Sequence, residues 1–193
     1  MEKQNKQSEP SFYVNFEKVY ARNIDSNISL LNFLRHNCKF TGTKEGCSEG
    51  DCGACSVLIF DEKGSLAPVN SCILKVGQII DKNIVTIEGA SKLSSAKPLI
   101  QALNSKAASQ CGFCTPGFVM AALALKEKHK SPSESVIHDS LSGNLCRCTG
   151  YRPIVNGIQS LKEKIKFPMP INSKGSKLKT ALFGKTTYIY PDS

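Results

Sequence analysis

The chain has 193 residues, a formal net charge of +9, nine cysteines and a hydrophobic fraction of 40%. That hydrophobic content is too high for a disordered chain, and 14 Gly with 9 Pro are too few for a low-complexity one, so we expect one large or two small globular domains. The first residues show no secretory signal, and the longest apolar run, 118–125, is much shorter than the ~20 residues of a membrane span, which predicts a cytoplasmic protein without a membrane partner.

Short strands, one helix and a glycine-rich loop are predicted for the first ninety residues. The alternating pattern of residues 11–22 predicts a strand with a hairpin return, and the apolar spacing over 28–36 predicts a short amphipathic helix. Residues 41–55 carry four glycines among three cysteines, which predicts a loop whose backbone approaches another group closely. Three further strands are predicted, at 56–60, 66–69 and 84–87, and a Ser/Lys-rich link follows the last of them.

After Ser91 the pattern changes to helices without strands, which predicts a small four-helix bundle. The first helix is predicted at 98–107, and the second at 116–128 with Thr115 as its N-cap. The third runs from a capping box at Ser131–Glu134 to Ser142. The fourth starts at Arg152 and has an apolar face that reaches Ile165. Beyond residue 167, prolines, a glycine and serines indicate a linker or tail. We therefore expect three parts, at 1–90, 91–167 and 168–193.

A first group of four cysteines follows the C-x4-C-x2-C…C spacing of plant-type [2Fe–2S] ferredoxins: Cys47, Cys52, Cys55 and Cys72. Three thiolates from one loop must wrap two irons and two sulfides, and small residues allow this because their N–H groups can turn towards the sulfurs. The alternative is a four-cysteine zinc site, but such sites usually join two C-x2-C pairs, and Cys72 has no such partner. Disulfides are rare in a reducing cytoplasm, so we expect an iron–sulfur cluster here.

A second group of cysteines consists of a C-x2-C pair and a later C-x-C pair: Cys111, Cys114, Cys146 and Cys148. Each pair lies just before the predicted N-terminus of a helix, where free N–H groups and the positive end of the helix dipole suit a thiolate-rich anionic cluster. Taken alone, this group fits zinc, a redox dithiol or an iron–sulfur cluster.

Three motifs, at residues 42–55, 109–118 and 143–154, together resemble the iron–sulfur region of the molybdenum hydroxylases, and most nearly that of the xanthine dehydrogenase type. The resemblance covers residues 12–165 or so and implies an α+β chain. A β-grasp [2Fe–2S] ferredoxin domain would precede a four-helix domain that binds a second [2Fe–2S] cluster. By the same resemblance, the second group of cysteines ligates the cluster nearer the molybdopterin of a partner subunit, and Gln110 lies against that pterin.

The resemblance implies an electron-transfer subunit. A purine such as hypoxanthine or xanthine would be oxidised to urate on a molybdopterin-binding large subunit. The electrons would pass from that subunit through the second cluster and then the first cluster to FAD and NAD. Residues Thr187–Ser193 resemble the opening strand of the family's flavin domain, so the FAD would belong to a separate subunit or to a domain lost by truncation. The alternatives are an iron–sulfur subunit of a related aldehyde or carbon monoxide dehydrogenase and a free-standing ferredoxin-like carrier.

The chain itself offers no candidate catalytic base or nucleophile. Its three histidines lack metal-ligand spacing, and neither a nucleophile elbow nor a phosphate loop is present. Cys38 matches no ligand position in the family pattern and is expected to be a small buried hydrophobe. The lysines of the tail are not interleaved with aromatic residues, as they often are in nucleic-acid-binding segments. The positive charge of the remaining chain would be offset by the negative charge of the two clusters. We therefore expect no nucleic-acid partner.

Overall fold

The computed structural model describes residues 10–60, 64–168, 179–183 and 186–190. Over these residues the chain forms a five-stranded mixed sheet, helices packed against it, and a two-stranded sheet near the C-terminus. The architecture is α+β, as the sequence predicts.

The five-stranded sheet has the order β2-β1-β5-β3-β4. Its strands are β1 Ser11–Val14, β2 Glu17–Tyr20, β3 Ser56–Phe60, β4 Leu66–Asn70 and β5 Asn83–Val85. Strands β1 and β5 pair in parallel, and every other pairing is antiparallel. The predicted strands are confirmed, although β5 ends at Val85 and not at residue 87.

Six α-helices accompany the sheet in the described residues. They are α1 Leu30–Asn32, α2 Ile87–Lys92, α3 Lys97–Ser105, α4 Thr115–Lys128, α5 Glu134–Leu141 and α6 Arg152–Ser160. Helix α1 continues into a π-helical turn at Phe33–Asn37, and a 3-10 turn occupies Val76–Ile79. The four helices predicted after Ser91 are confirmed as α3 to α6.

Three helix boundaries differ from the prediction. Helix α2 occupies the start of the segment predicted to be a link. Helix α5 is capped by Ser133 and not by Ser131, because the Ser133 hydroxyl accepts a hydrogen bond from the Val136 N–H. Helix α6 ends at Ser160, so Ile165 lies beyond the helix, where it is buried in the apolar cluster that includes α4.

Strand β3 connects two apolar clusters because its alternate side chains face opposite sides of the sheet. Val57 belongs to a cluster with Leu30 of α1. Leu58 and Phe60 belong to a second cluster, which includes Met120 and the other apolar side chains of α4. Burying aliphatic or aromatic side chains of this size contributes ~1.5–3 kcal/mol each. The sheet and the helical half therefore share a core and are held together by it.

Helix α4 is the central helix, and its residues from Gly117 to Lys126 are all buried. A helix that is apolar on every face is typical of a position inside the protein. Within the described parts of the chain, no helix is long and apolar enough to cross a bilayer.

Lys126 is fully buried near the C-terminal end of α4. Its Nζ donates hydrogen bonds to the carbonyl oxygens of Lys130 and Leu161, the second at 2.7 Å. Burial, together with the nearby positive charge of Lys162, lowers the pKa of Lys126 below its ordinary value. The side chain thus joins the end of α4 to the segment that follows α6.

Replacing Lys126 by methionine should lower the free energy of unfolding by about 2 kcal/mol, because two backbone carbonyls lose their shared donor while the apolar stem is retained. Urea denaturation followed by circular dichroism measures the change. The matched control is Lys128→Met, which alters an exposed lysine of the same helix and should leave the midpoint within experimental error. Equal midpoints for the two variants would contradict the assigned role.

The C-terminal two-stranded sheet is an antiparallel hairpin of β6 Lys179–Phe183 and β7 Thr186–Tyr190. Strand β7 overlaps the strand predicted to start at Thr187. The predicted linker between residue 168 and this hairpin lies at residues 169–178, outside the described residues.

Candidate metal centres

The first group of cysteines lies where a loop and the end of strand β4 meet. The thiols come together as two pairs, Cys47 with Cys52 and Cys55 with Cys72. The sequence predicted this grouping from spacing alone. Cys72 also interacts electrostatically with Cys47, so the two pairs lie close to each other.

The loop that carries the first three cysteines turns its backbone N–H groups towards sulfur. The N–H groups of Asp51 and Cys52 donate to the Cys47 Sγ at 3.3 and 3.4 Å. Hydrogen bonds from the backbone of Glu49, and then of Cys52 and Asp51, lower the pKa of Cys47 to about 7. This loop therefore favours a thiolate at Cys47, which is the form that binds metal.

Gly46 gives the thiols room. A Cβ at this position would lie 2.8 Å from the Cys52 Sγ and 3.7 Å from the ring of Phe113. The loop can bring its backbone next to sulfur only because residue 46 has no side chain.

Cys72 is brought to the loop by the two residues that precede it. The Ser71 hydroxyl donates to the Cys55 carbonyl at 2.7 Å, and the Asn70 amide donates to the Gly50 carbonyl. Burial is the main reason why the pKa of Cys72 rises to about 11. The fourth thiol is thus held by strand β4, separately from the loop.

The second group of cysteines lies between the N-terminus of α4 and the N-terminus of α6. It also forms two pairs, Cys111 with Cys148, whose sulfurs are 3.5 Å apart, and Cys114 with Cys146. Burial is the largest reason why the pKa of Cys114 rises to about 12. The hydrogen bond with Cys111 is the largest reason why the pKa of Cys148 is raised.

Two residues hold Cys146 in place. The Cys146 N–H donates to the Tyr151 hydroxyl at 3.0 Å, and the Thr149 N–H donates to the Cys146 Sγ at 3.4 Å. Burial is the largest single influence on the pKa of Cys146 and acts to raise it, but hydrogen bonds with Thr149, the Cys148 backbone and Cys114 together lower it. The Tyr151 ring packs edge-on against Phe118 of α4, which fixes the hydroxyl.

The start of the first loop is tied to α2 by a carboxylate that the sequence analysis did not identify. Glu88 accepts hydrogen bonds from the Gly42 N–H at 2.7 Å and from the Thr86 hydroxyl at 2.6 Å. Thr86 is itself bonded to Asn15 of the loop after β1. The sequence predicts Glu88 at the start of a link. The one sequence signal for its role is its position directly after a predicted strand.

The two groups of cysteines meet at a tightly packed backbone contact. The Leu145 N–H donates to the Cys52 carbonyl at 3.0 Å, and the Asn144 side-chain amide donates to the Gly53 carbonyl at 3.0 Å. These residues are adjacent to ligand candidates of both groups. The contact joins residues 52–53 to 144–145, and we call it the junction.

A cluster of exposed residues surrounds the second group. Cys111 and Cys148 are exposed, and so is Gln110. The apolar side chains of Phe113 and Leu145 are 46% and 51% exposed beside them. A surface of this composition is typical of a contact with another protein or domain.

The donor sets fit [2Fe–2S] clusters. Two irons bridged by sulfides need two pairs of thiolates and not four donors around one point. Each group supplies two pairs, and the first adds inward N–H groups and the space left by Gly46. The assignment of the eight cysteines to two clusters stays a prediction, with which these contacts are compatible.

Cys38 lies apart from both groups. It is partly buried against the apolar cluster around α1, and that burial raises the pKa of Cys38 to about 11. The prediction that Cys38 acts as a small hydrophobe agrees with this environment.

Known proteins resemble the chain in both halves. Residues 86–159 match the protein family described as "[2Fe-2S] binding domain". The chain is 43% identical over 155 residues to aldehyde oxidase 1 of Rattus norvegicus and 42% identical over 159 residues to xanthine dehydrogenase of Emericella nidulans. These matches cover 77% and 80% of this chain but only 12% of the length of either relative.

Two solved structures share the fold. Quinoline 2-oxidoreductase from Pseudomonas putida 86 superposes with a TM-score of 0.66 at 35% identity, covering 78% of this chain and 90% of that one. The aldehyde oxidoreductase of Desulfovibrio desulfuricans superposes with a TM-score of 0.70 at 32% identity, covering 89% of this chain and 20% of that one. The quinoline 2-oxidoreductase chain is 35% identical to this chain and is matched over 90% of its length. The chain therefore belongs to the molybdenum hydroxylase family, of which it is an iron–sulfur part.

Proposed function

We propose that this chain is the electron-transfer component of a molybdenum hydroxylase and that it binds two [2Fe–2S] clusters. The observation that carries the proposal is that eight cysteines form two sets of paired thiols on either side of one junction. The first cluster would be held by Cys47, Cys52, Cys55 and Cys72, and the second by Cys111, Cys114, Cys146 and Cys148.

The first set belongs, in this proposal, to a β-grasp ferredoxin domain of residues 1–90. The parallel pairing of β1 with β5 between two hairpins supports that assignment. The second set belongs to a helical domain of residues 91–167, and residues 168–193 are the link towards a FAD-binding domain or subunit.

Each cluster, when bound, accepts and donates one electron. The proposed direction is from the molybdopterin of a large partner subunit through the second set and then the first set to FAD and NAD. The chain's own residues hold the thiols and donate N–H groups to sulfur. They transform no substrate.

The exposed surface around the second set supports the order of the route. Cys111 and Cys148 are exposed beside Phe113, so this end of the chain can contact a partner closely. We propose that the molybdopterin-binding subunit covers this surface and that Gln110 contacts the pterin there.

Hypoxanthine or xanthine is the proposed substrate of the complete enzyme. A xanthine dehydrogenase is among the relatives at more than 40% identity, which supports this choice. Aldehyde oxidases have similar identity, so an aldehyde-oxidising enzyme is the second candidate.

The test uses the chain purified under gentle conditions, together with any large subunit recovered with it. Under anaerobic conditions and without an added electron acceptor, hypoxanthine or xanthine should bleach the visible absorption of the clusters. Bleaching by an aldehyde but not by a purine would select the second candidate. Bleaching by dithionite alone, with no large subunit recovered, would overturn the proposal in favour of a free carrier.

A further inference from the structure

Asn144 is a buried polar residue that joins the two cysteine loops. Its side chain is 6% exposed, and its Nδ2 donates to the Gly53 carbonyl across the boundary between the sheet half and the helical half. A buried amide is retained at low cost only when it is hydrogen-bonded, so this contact has a definite geometry. Asn144 is therefore a specific link and not a surface residue.

The backbone around this hydrogen bond leaves no free space. A Cβ on Gly53 would lie 2.2 Å from the Gly143 carbonyl oxygen, and a Cβ on Gly117 would lie 2.2 Å from the Gly53 carbonyl oxygen. The loop of the first set is thus held between the first turn of α4 and residues 143–145. A small displacement of one loop would be passed directly to the other.

The hydrogen bond next to Asn144 joins ligand candidates of both sets. The Leu145 N–H, one residue before Cys146, donates to the carbonyl of Cys52 at 3.0 Å. Leu145 has an exposed side chain, so its own packing holds this backbone contact only weakly. The neighbouring Asn144 amide supplies a second hydrogen bond between the two segments, and its side chain is buried.

We propose that Asn144 is a positioning residue that fixes the separation of the two [2Fe–2S] clusters and keeps the Cys52–Leu145 hydrogen bond closed for electron transfer between them. The inference rests on the proposed function. In each transfer one electron leaves the second cluster, which is oxidised, and enters the first, which is reduced, and no proton has to move. The electrons come from the substrate oxidation on the partner subunit.

The first experiment is electron paramagnetic resonance of the fully reduced protein with Asn144→Ala. Two reduced clusters interact magnetically, and the dipolar splitting falls steeply with their separation. We expect both signals to remain, while the splitting decreases and the passage of an electron between the clusters slows about tenfold or more. Two intact signals with unchanged splitting and an unchanged rate would overturn the proposal.

The matched control is Ser56→Ala. The Ser56 hydroxyl donates to the same Gly53 carbonyl at 2.8 Å, but it comes from the first loop's own half. Its loss should leave the splitting and the rate unchanged. If Ser56→Ala reproduced the effect of Asn144→Ala, the link between the halves would not be the cause, and the proposal would be overturned.

Hydrogen exchange measured by mass spectrometry gives a readout that needs no cluster. In Asn144→Ala, amides at residues 142–147 should exchange about tenfold faster, while those of the β1–β2 hairpin keep their rates. Equal acceleration in both segments would indicate general destabilisation and would count against the proposal. If Asn144→Ala does not fold, Asn144→Ser, which creates a smaller cavity, is tested in the same way.

This design separates the two claims. A wild-type chain without iron would end the proposed function, yet the exchange measurement would still test whether Asn144 holds the junction. A wild-type chain with both clusters and an insensitive Asn144→Ala variant would end this inference alone.

Discussion

Gly53→Ala is expected to lower the free energy of unfolding by about 3 kcal/mol, as the sum of backbone strain and overpacking. Gly53 has a φ of +67°, a region that residues with a Cβ rarely adopt. The added methyl would also lie 2.2 Å from the Gly143 carbonyl and 2.4 Å from the Asn144 Nδ2. The first of these neighbours is backbone, so the collision cannot be relieved by a side-chain rotation.

The control for Gly53→Ala is Gly150→Ala. Gly150 has nearly the same φ, +66°, but a Cβ there would meet no atom within 4 Å. This variant should cost only the conformational strain, about 1 kcal/mol. Urea denaturation of the two proteins gives the comparison, and iron content should fall in Gly53→Ala alone. Equal losses of stability would contradict the packing account of the junction.

Cys146→Ser is expected to abolish the paramagnetic signal of one cluster completely and to leave the other. A serine hydroxyl is a poor ligand for iron at neutral pH, since it is not ionised as a thiol can be. Cys72→Ser should have the reciprocal effect, because Cys72 belongs to the other set of thiols. Spectra of the reduced variants, recorded with their iron content, measure both losses.

Cys38→Ser is the control for these substitutions. It also exchanges a partly buried thiol for a hydroxyl, but Cys38 lies against an apolar cluster and in neither set. Both signals should persist in this variant. Loss of the same signal in Cys72→Ser and Cys146→Ser would contradict the division of the cysteines into two sets.

Local patterns in the sequence predict much of this architecture. Strand alternation, proline at helix starts and the spacing of the cysteines are all short-range signals, and they locate β1 to β5, α3 to α6 and both groups of thiols. The predicted N-cap of α5, Ser131, differs from the observed one, Ser133. Ser131 precedes a proline and Ser133 precedes a glutamate, and both patterns are typical of a helix start, so only the backbone geometry distinguishes the two serines.

The junction could not be predicted, because it depends on residues far apart in the chain. Asn144 and Gly53 are separated by 91 positions, and nothing near either residue indicates the other. The same holds for Glu88, which reaches Gly42 across 46 positions. Lys126 is a further case, because its hydrogen bond to the Leu161 carbonyl joins positions 35 apart in the chain.

The most direct test of the central claim is the metal content of the purified chain combined with the spectrum of its reduced form. Two [2Fe–2S] clusters predict about four irons and four acid-labile sulfides per chain, with two distinct paramagnetic signals after reduction. A colourless protein that contains zinc and no labile sulfide would contradict the account.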